Sequence, residues 1–362
     1  MRSSRRLLLG ALGCWLTAAT VAAADGPLLL AINKGDNTLA IVDATTFKIL
    51  GKAPTGPDPH EVVASSDGTL AFITNYNAGN GSDNTISVVD LVAHKALPPI
   101  DLGALSRPHG ITLAGGKVYF TAEGAKVVGR YDLSSRKIDW VMGTGQDRTH
   151  MVIVSSDLKR LFTTNVASAT VCIFEETVGA RRGGPPPGPP PPGADGRAGR
   201  GPAGRGPNGP PPATSNWQVT VVPVGRGAEG FDLSPDGKEL WVANAQDASV
   251  SIIDAATKNV VQTLSVPFRS ANRLKLTPDG RYAFVSDLGD GKLIVLDAAT
   301  RREVKRIDIG GGAAGIQMSP DGSRAFVAVG SQNGVAVVDL KTLAVSARIE
   351  TGPGPDGLAW VK

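Results

Sequence analysis

Short apolar runs of five or six residues recur along the chain, each closed off by turn residues, as in Leu28-Leu29-Leu30-Ala31-Ile32-Asn33 and Leu240-Trp241-Val242-Ala243-Asn244. They are rich in β-branched and aromatic residues and carry no helical period, so they predict strands. Two turn signals punctuate them. One is apolar-apolar-Asp followed by a small or polar triplet: Ile41-Val42-Asp43, Val88-Val89-Asp90, Arg130-Tyr131-Asp132, Ile252-Ile253-Asp254, Val295-Leu296-Asp297 and Val337-Val338-Asp339, with a degenerate copy at Ile173-Phe174-Glu175. The acidic residues lie 47, 42, 43, 79, 43 and 42 apart. The other is a tight-turn signal, clearest in Ser234-Pro235-Asp236-Gly237, Thr277-Pro278-Asp279-Gly280 and Ser319-Pro320-Asp321-Gly322, with Ser66-Asp67-Gly68, Ser156-Asp157 and Ala114-Gly115-Gly116 as drifted copies. Pro after the first residue and Gly at the last suit such a turn.

A period of 42–47 residues with four short strands per unit describes a propeller blade. Each unit reads strand A, tight turn, strand B, loop, strand C ending in Asp, turn, strand D. The first copy begins at Leu28 in strand B and lacks a strand A. The last is followed by Pro355-Asp356-Gly357-Leu358-Ala359-Trp360-Val361, which has the pattern of strand A and nothing after it. The C-terminal segment is therefore expected to complete blade 1 and close a seven-bladed, all-β ring without a long free edge.

The ends of several B strands, Phe72-Ile73-Thr74-Asn75, Phe162-Thr163-Thr164-Asn165 and Trp241-Val242-Ala243-Asn244, resemble the naming motif of the YVTN-type β-propeller repeat proteins, and the resemblance covers 28–361 apart from one insertion. It implies the propeller fold. For function it implies a binding scaffold, a surface protein or, as in related lactonase-like groups, an enzyme.

The 79-residue spacing exceeds the period because of residues 181–212, which hold 12 of the 26 prolines, ten glycines and five arginines. Such a segment buries too little to offset its ordering entropy, so it is expected to be a disordered insert in the C–D connection of blade 4, with strand D resuming at Trp217. Residues 1–24 (MRSSRRLLLGALGCWLTAATVAAA) join an arginine-rich start to an apolar stretch and an Ala-x-Ala exit, the pattern of a secretory signal of Sec or twin-arginine type. The expected location is periplasmic or secreted. Cys172, in the apolar run Thr170-Val171-Cys172-Ile173-Phe174, is then the one remaining thiol and reads as a buried strand residue. The net charge of +4 changes meaning once located: the leader carries +3 and the insert +4, which leaves the body at −3. A nucleic-acid surface is not expected. No membrane span is expected beyond the leader, and the protein reads as a monomer.

One repeat position carries candidate chemistry. His60, His109 and His150 each lie seven residues before the A–B turn, where the chain enters the inner strand beside the central channel. The same position holds Glu229, Asn272, Ala314 and Asp356 in the other blades. His60, His109, His150, Glu229, Asn272 and Asp356 are thus expected to rim one mouth of the channel as ligand contacts for a protein or small-molecule partner. Three histidines with an open position are also a catalytic-metal pattern, so the three are a candidate set for a divalent metal. Two functions follow: a binding scaffold acting through the channel mouth, or a metal-assisted or lactonase-like hydrolase with Glu229 or Asp356 as base. The loop from Asn75 to Asn84 is long enough to cover the same mouth. Gly310-Gly311-Gly312-Ala313-Ala314-Gly315 matches a dinucleotide fingerprint but runs into a strand, not the helix such a site needs.

Overall fold

The computed structural model describes residues 26–77, 83–179 and 214–362, and these form seven four-stranded antiparallel sheets. The inner strands touch in sequence around a closed circle, from Pro59–Ala64 through Pro108–Ala114, Thr149–Val154, Ala228–Leu233, Ala271–Leu276 and Ala313–Met318 to Pro355–Val361 and back. The molecule is a seven-bladed β-propeller. Blade 1 is closed as expected. Pro355–Val361 pairs antiparallel with Leu28–Asn33, with Leu28 opposite Val361 and Leu30 opposite Ala359.

The core is divided into clusters between consecutive blades. Phe72, Tyr119, Phe162, Trp241, Phe284 and Phe326 occupy one position, three residues before the end of strand B, and all are buried. Blades 2 to 7 thus each offer a large aromatic side chain to a neighbour, with Leu30 at the same position in blade 1, and burying one contributes about 1.5–3 kcal/mol. Cys172 is buried in the cluster between blades 3 and 4.

The two turn signals have separate physical origins. In the C–D turns the Asp carboxylate accepts hydrogen bonds from the backbone N–H groups two and three residues on, as Asp43 does from Thr45 and Thr46 at 2.8 Å. Asp90, Asp132, Asp254 and Asp339 repeat this. The following residue takes a left-handed conformation, as at Phe47, Arg136 and Lys258. In the A–B turns Ser65, Ser155, Ser234, Thr277 and Ser319 donate to the Asp two residues on.

Glu175 replaces that Asp in blade 4, and there the chain does not turn. Its ladder continues through Glu176 opposite Trp217 and Thr177 opposite Asn216 to Gly179 opposite Thr214, so strand D begins at Thr214, three residues earlier than the sequence suggested. Glu is one methylene longer than Asp and does not close the same short ring onto the backbone. The insert 181–212 and the leader 1–24 lie outside the described residues. Replacing Arg181–Pro212 by a short Gly-Ser turn is expected to leave the melting temperature nearly unchanged, because loop closure costs only about 0.6 kcal/mol per doubling of length. A drop of many degrees in a calorimetric scan would show that the segment packs on the propeller.

Candidate functional site

The seven residues of the repeat position each stand second in an inner strand: His60, His109, His150, Glu229, Asn272, Ala314 and Asp356. In all seven blades the ladder breaks there. Pro59 pairs with Asn75, and pairing resumes only at Val62; blades 3 to 7 skip the same two residues, and blade 1 skips Asp356 and Gly357 between Pro355 and Leu358. This bulge turns the site residue toward the channel mouth. A hydroxyl on strand B fixes it. Thr74, Thr121, Thr164 and Ser286 donate to the carbonyl of the next blade's site residue, at 2.7 Å to His109, 2.6 Å to His150, 2.8 Å to Glu229 and 2.7 Å to Ala314. The same four hydroxyls accept the backbone N–H that follows their own blade's site residue. Each one ties two blades together at the rim.

All six residues expected at the mouth line one cavity of about 610 Å³, so the structure brings them together. The three imidazoles touch. His60 and His109 have ring centroids 4.7 Å apart, and His109 stacks on His150 at 3.7 Å. The loop after Asn75 supplies Tyr76, whose ring lies 4.6 Å from His60; residues 78–82 of that loop lie outside the described residues.

The charge network is wider than the sequence suggested. His150 Nδ1 is 2.7 Å from Glu123 Oε1. Its Nε2 is 2.9 Å from Glu229 Oε1, though out of line for a well-formed hydrogen bond. Tyr76 donates to Glu123 and accepts from Arg107 at 2.7 Å. Burial disfavours charge on His150, but Glu229 and Glu123 outweigh it and hold the imidazolium above the usual histidine range. Burial would raise Glu229, yet His150, Arg273 and Arg148 overcome it and bring that carboxyl down to about 2. Burial keeps His60 below the ordinary value, and burial together with the charge on His150 keeps His109 well below it.

These directions set a pH profile. A histidine near 6.5 when unfolded but lower when folded stabilises above that pH, and its contribution is lost as acid titrates it; this is the case for His60 and His109. His150 is raised, so its contribution is full below about 6.5 and is lost as pH rises through its folded value. Stability should peak at or just above pH ~6.5 and fall on both sides. Urea midpoints across that range check this. His150→Gln should flatten the alkaline side, and His109→Gln the acid side.

Sequence reasoning missed the channel's interior. Arg273 of blade 6 pairs with Glu61 of blade 2, and its Nη2 lies 4.0 Å from Asp356 Oδ1. Blades 7 and 1 stand between those two blades, so the ion pair crosses the channel. Arg273 lines both the His-bearing cavity and a second one of about 530 Å³ toward the A–B turns. The pair therefore sits between two mouths. Glu61 and Arg273 each directly follow a site residue, at a position that is Gly110, Gly230, Gly315 and Gly357 in other blades. There a Cβ would collide with the next blade's backbone. Blade 4 has Met151 there, so opposite charges at a position that is otherwise glycine or methionine were the available signal.

The expected three-histidine metal centre does not form as arranged. Among the described residues no group of three or more His, Cys, Asp or Glu side chains is placed to hold a metal ion. His109 and His150 are stacked, so their lone pairs do not converge, and both His150 nitrogens face carboxylates.

Residues 222–357 match the family model described as the cytochrome D1 heme domain. None of the four histidines falls in that stretch. No curated protein matches the chain. Among solved structures, the chain is similar to a putative 6-phosphogluconolactonase from Bacteroides uniformis, at 15% identity and a TM-score of 0.70, over 93% of this chain and 100% of that one. It is similar to hydrazine synthase of Kuenenia stuttgartiensis, at 17% identity and a TM-score of 0.64, over 84% and 90%. It is also similar to a dihydro-heme d1 dehydrogenase in complex with DHE, at 16% identity and a TM-score of 0.59, over 90% of this chain and 64% of that one. A haem iron needs an axial donor free to reach it. Here both nitrogens of His60 have partners and both nitrogens of His150 face carboxylates, so neither ring as arranged is free to ligate a haem iron. These likenesses support a propeller fold and do not single out the YVTN-type family.

Proposed function

We propose that this chain is an exported propeller that binds a small polar ligand in the His-bearing mouth. The observation that carries the reading is the gathering of buried ionisable side chains around one cavity of about 610 Å³. Strand pairing and blade packing do not require His150 between two carboxylates or Arg273 across the channel. His109 Nδ1, Asn272 Oδ1 and Arg273 Nε are buried without a protein partner. Each such atom costs roughly 1–3 kcal/mol, a cost typical of functional sites. Cavities of this size with perturbed titratable groups are the usual places for ligands.

The hydrolase reading rests on likeness of fold to putative lactonases. It gains nothing from Glu229, since a carboxylate held at about 2 is a weak base at neutral pH. A thermal-shift screen of small metabolites tests the binding reading. A ligand of the native state raises the melting temperature. That rise should vanish in His109→Leu and persist in Lys275→Gln, which alters the opposite mouth. An unchanged rise in His109→Leu would place binding elsewhere.

A further inference from the structure

Lys34 follows the end of strand B in blade 1, and its ammonium reaches into the mouth. It lies 2.8 Å from His60 Nε2, 3.4 Å from Asp58 Oδ1 and 3.5 Å from Asp356 Oδ2. An ammonium has donors only, so His60 Nε2 must accept. His60 Nδ1 is 2.9 Å from the Asp58 carbonyl oxygen, which can only accept, so the ring hydrogen sits on Nδ1. The backbone thus fixes the tautomer and turns the imidazole lone pair toward the ammonium. The acceptors come from separate segments: the loop entering blade 2, its inner strand, and the closing strand of blade 1.

The partners differ in accessibility. The side chains of His60 and Asp356 are 11% and 12% exposed, whereas that of Lys34 is 33% exposed. Two nearly buried acceptors therefore hold a donor that enters from the surface side. Tyr76 packs on one of these acceptors, its ring tilted against His60 at 4.6 Å. These separations suit N–H donation and are longer than metal–ligand bonds.

We infer that Asp58, His60 and Asp356 form an ammonium-recognition pocket. The ligand of this mouth is a small molecule bearing a primary ammonium group, and Lys34 fills that place in the free protein. The inference rests on the binding reading above and names the chemistry of its ligand. A ligand that must displace Lys34 binds with its affinity reduced by the fraction of time the pocket is vacant. Were Lys34 in place nine-tenths of the time, the loss would be about tenfold.

The probe is n-butylammonium, which has the lysine side chain's own four-carbon amine, titrated calorimetrically into wild type and Lys34→Ala at constant ionic strength. Lys34→Ala should bind it at least ~10-fold more tightly than wild type. The gain should disappear in Lys34→Ala/Asp356→Asn. Tetramethylammonium, equally charged but without N–H donors, should not substitute. Should Lys34→Ala fail to fold, the wild-type protein answers: butylammonium should move the Lys34 ammonium ¹⁵N resonance to that of a solvated lysine. Equal binding by wild type and Lys34→Ala, equal binding of tetramethylammonium, or an unmoved Lys34 resonance at saturating probe would overturn the inference. If butylammonium fails while the screen finds a ligand lost in His109→Leu, the ammonium assignment falls and the binding reading stands.

Discussion

Truncation after Gly354 is expected to yield a chain that aggregates or unfolds without a cooperative transition. It removes Pro355–Val361, the inner strand of blade 1, and leaves Leu28–Asn33 with one edge unpaired. Leu358 is lost from the core between blades 7 and 1, and Ala359 and Val361 from that between blades 1 and 2. Burying a Leu or Val contributes about 1.5–3 kcal/mol, and the ladder of the strand goes with them, against a usual total stability of about 5–15 kcal/mol. The open ring also exposes strand edges that pair with other chains. Scanning calorimetry and size-exclusion chromatography check this. A soluble truncated protein with an unchanged transition would contradict the closure.

Replacing Glu61 by Leu is expected to cost about 3–5 kcal/mol, because it leaves the Arg273 charge buried without its main partner. Both side chains are nearly inaccessible to solvent. Asp356, 4.0 Å from the guanidinium, keeps the loss toward the lower end of that range. The double variant Glu61→Leu/Arg273→Met should be more stable than Glu61→Leu alone, since removing both charges removes the uncompensated one. Urea titrations of the two single variants and the double variant give the coupling. A Glu61→Leu loss below about 1 kcal/mol would mean that water reaches the pair and that it does not separate the two cavities.

What was legible in the sequence follows from what is local. The Asp turns and the Ser-x-Asp-Gly turns are made by residues within five positions of one another, so their spacing reads directly as strands and turns. The closing strand was legible because one repeat began at strand B and another stopped after strand A. The repeat position of His60, His109 and His150 also led to the mouth. The interior of that mouth was not legible. Glu61 and Arg273 are 212 residues apart and meet only because the ring closes. Glu123, Tyr76 and Lys34 come from B–C loops, where the repeats share no pattern. The metal expectation counted histidines without their orientation, and the stack of His109 on His150 depends on how far each bulge rotates the chain.

The small ligand proposed for the His-bearing mouth should be found by mass spectrometry of the denatured protein, purified from the organism that makes it. One small molecule is expected at about one per chain in wild type and in Lys275→Gln, and its loss from Asp356→Asn and His109→Leu. Absence of any such molecule from wild type, or its equal recovery from all four proteins, would contradict the proposal.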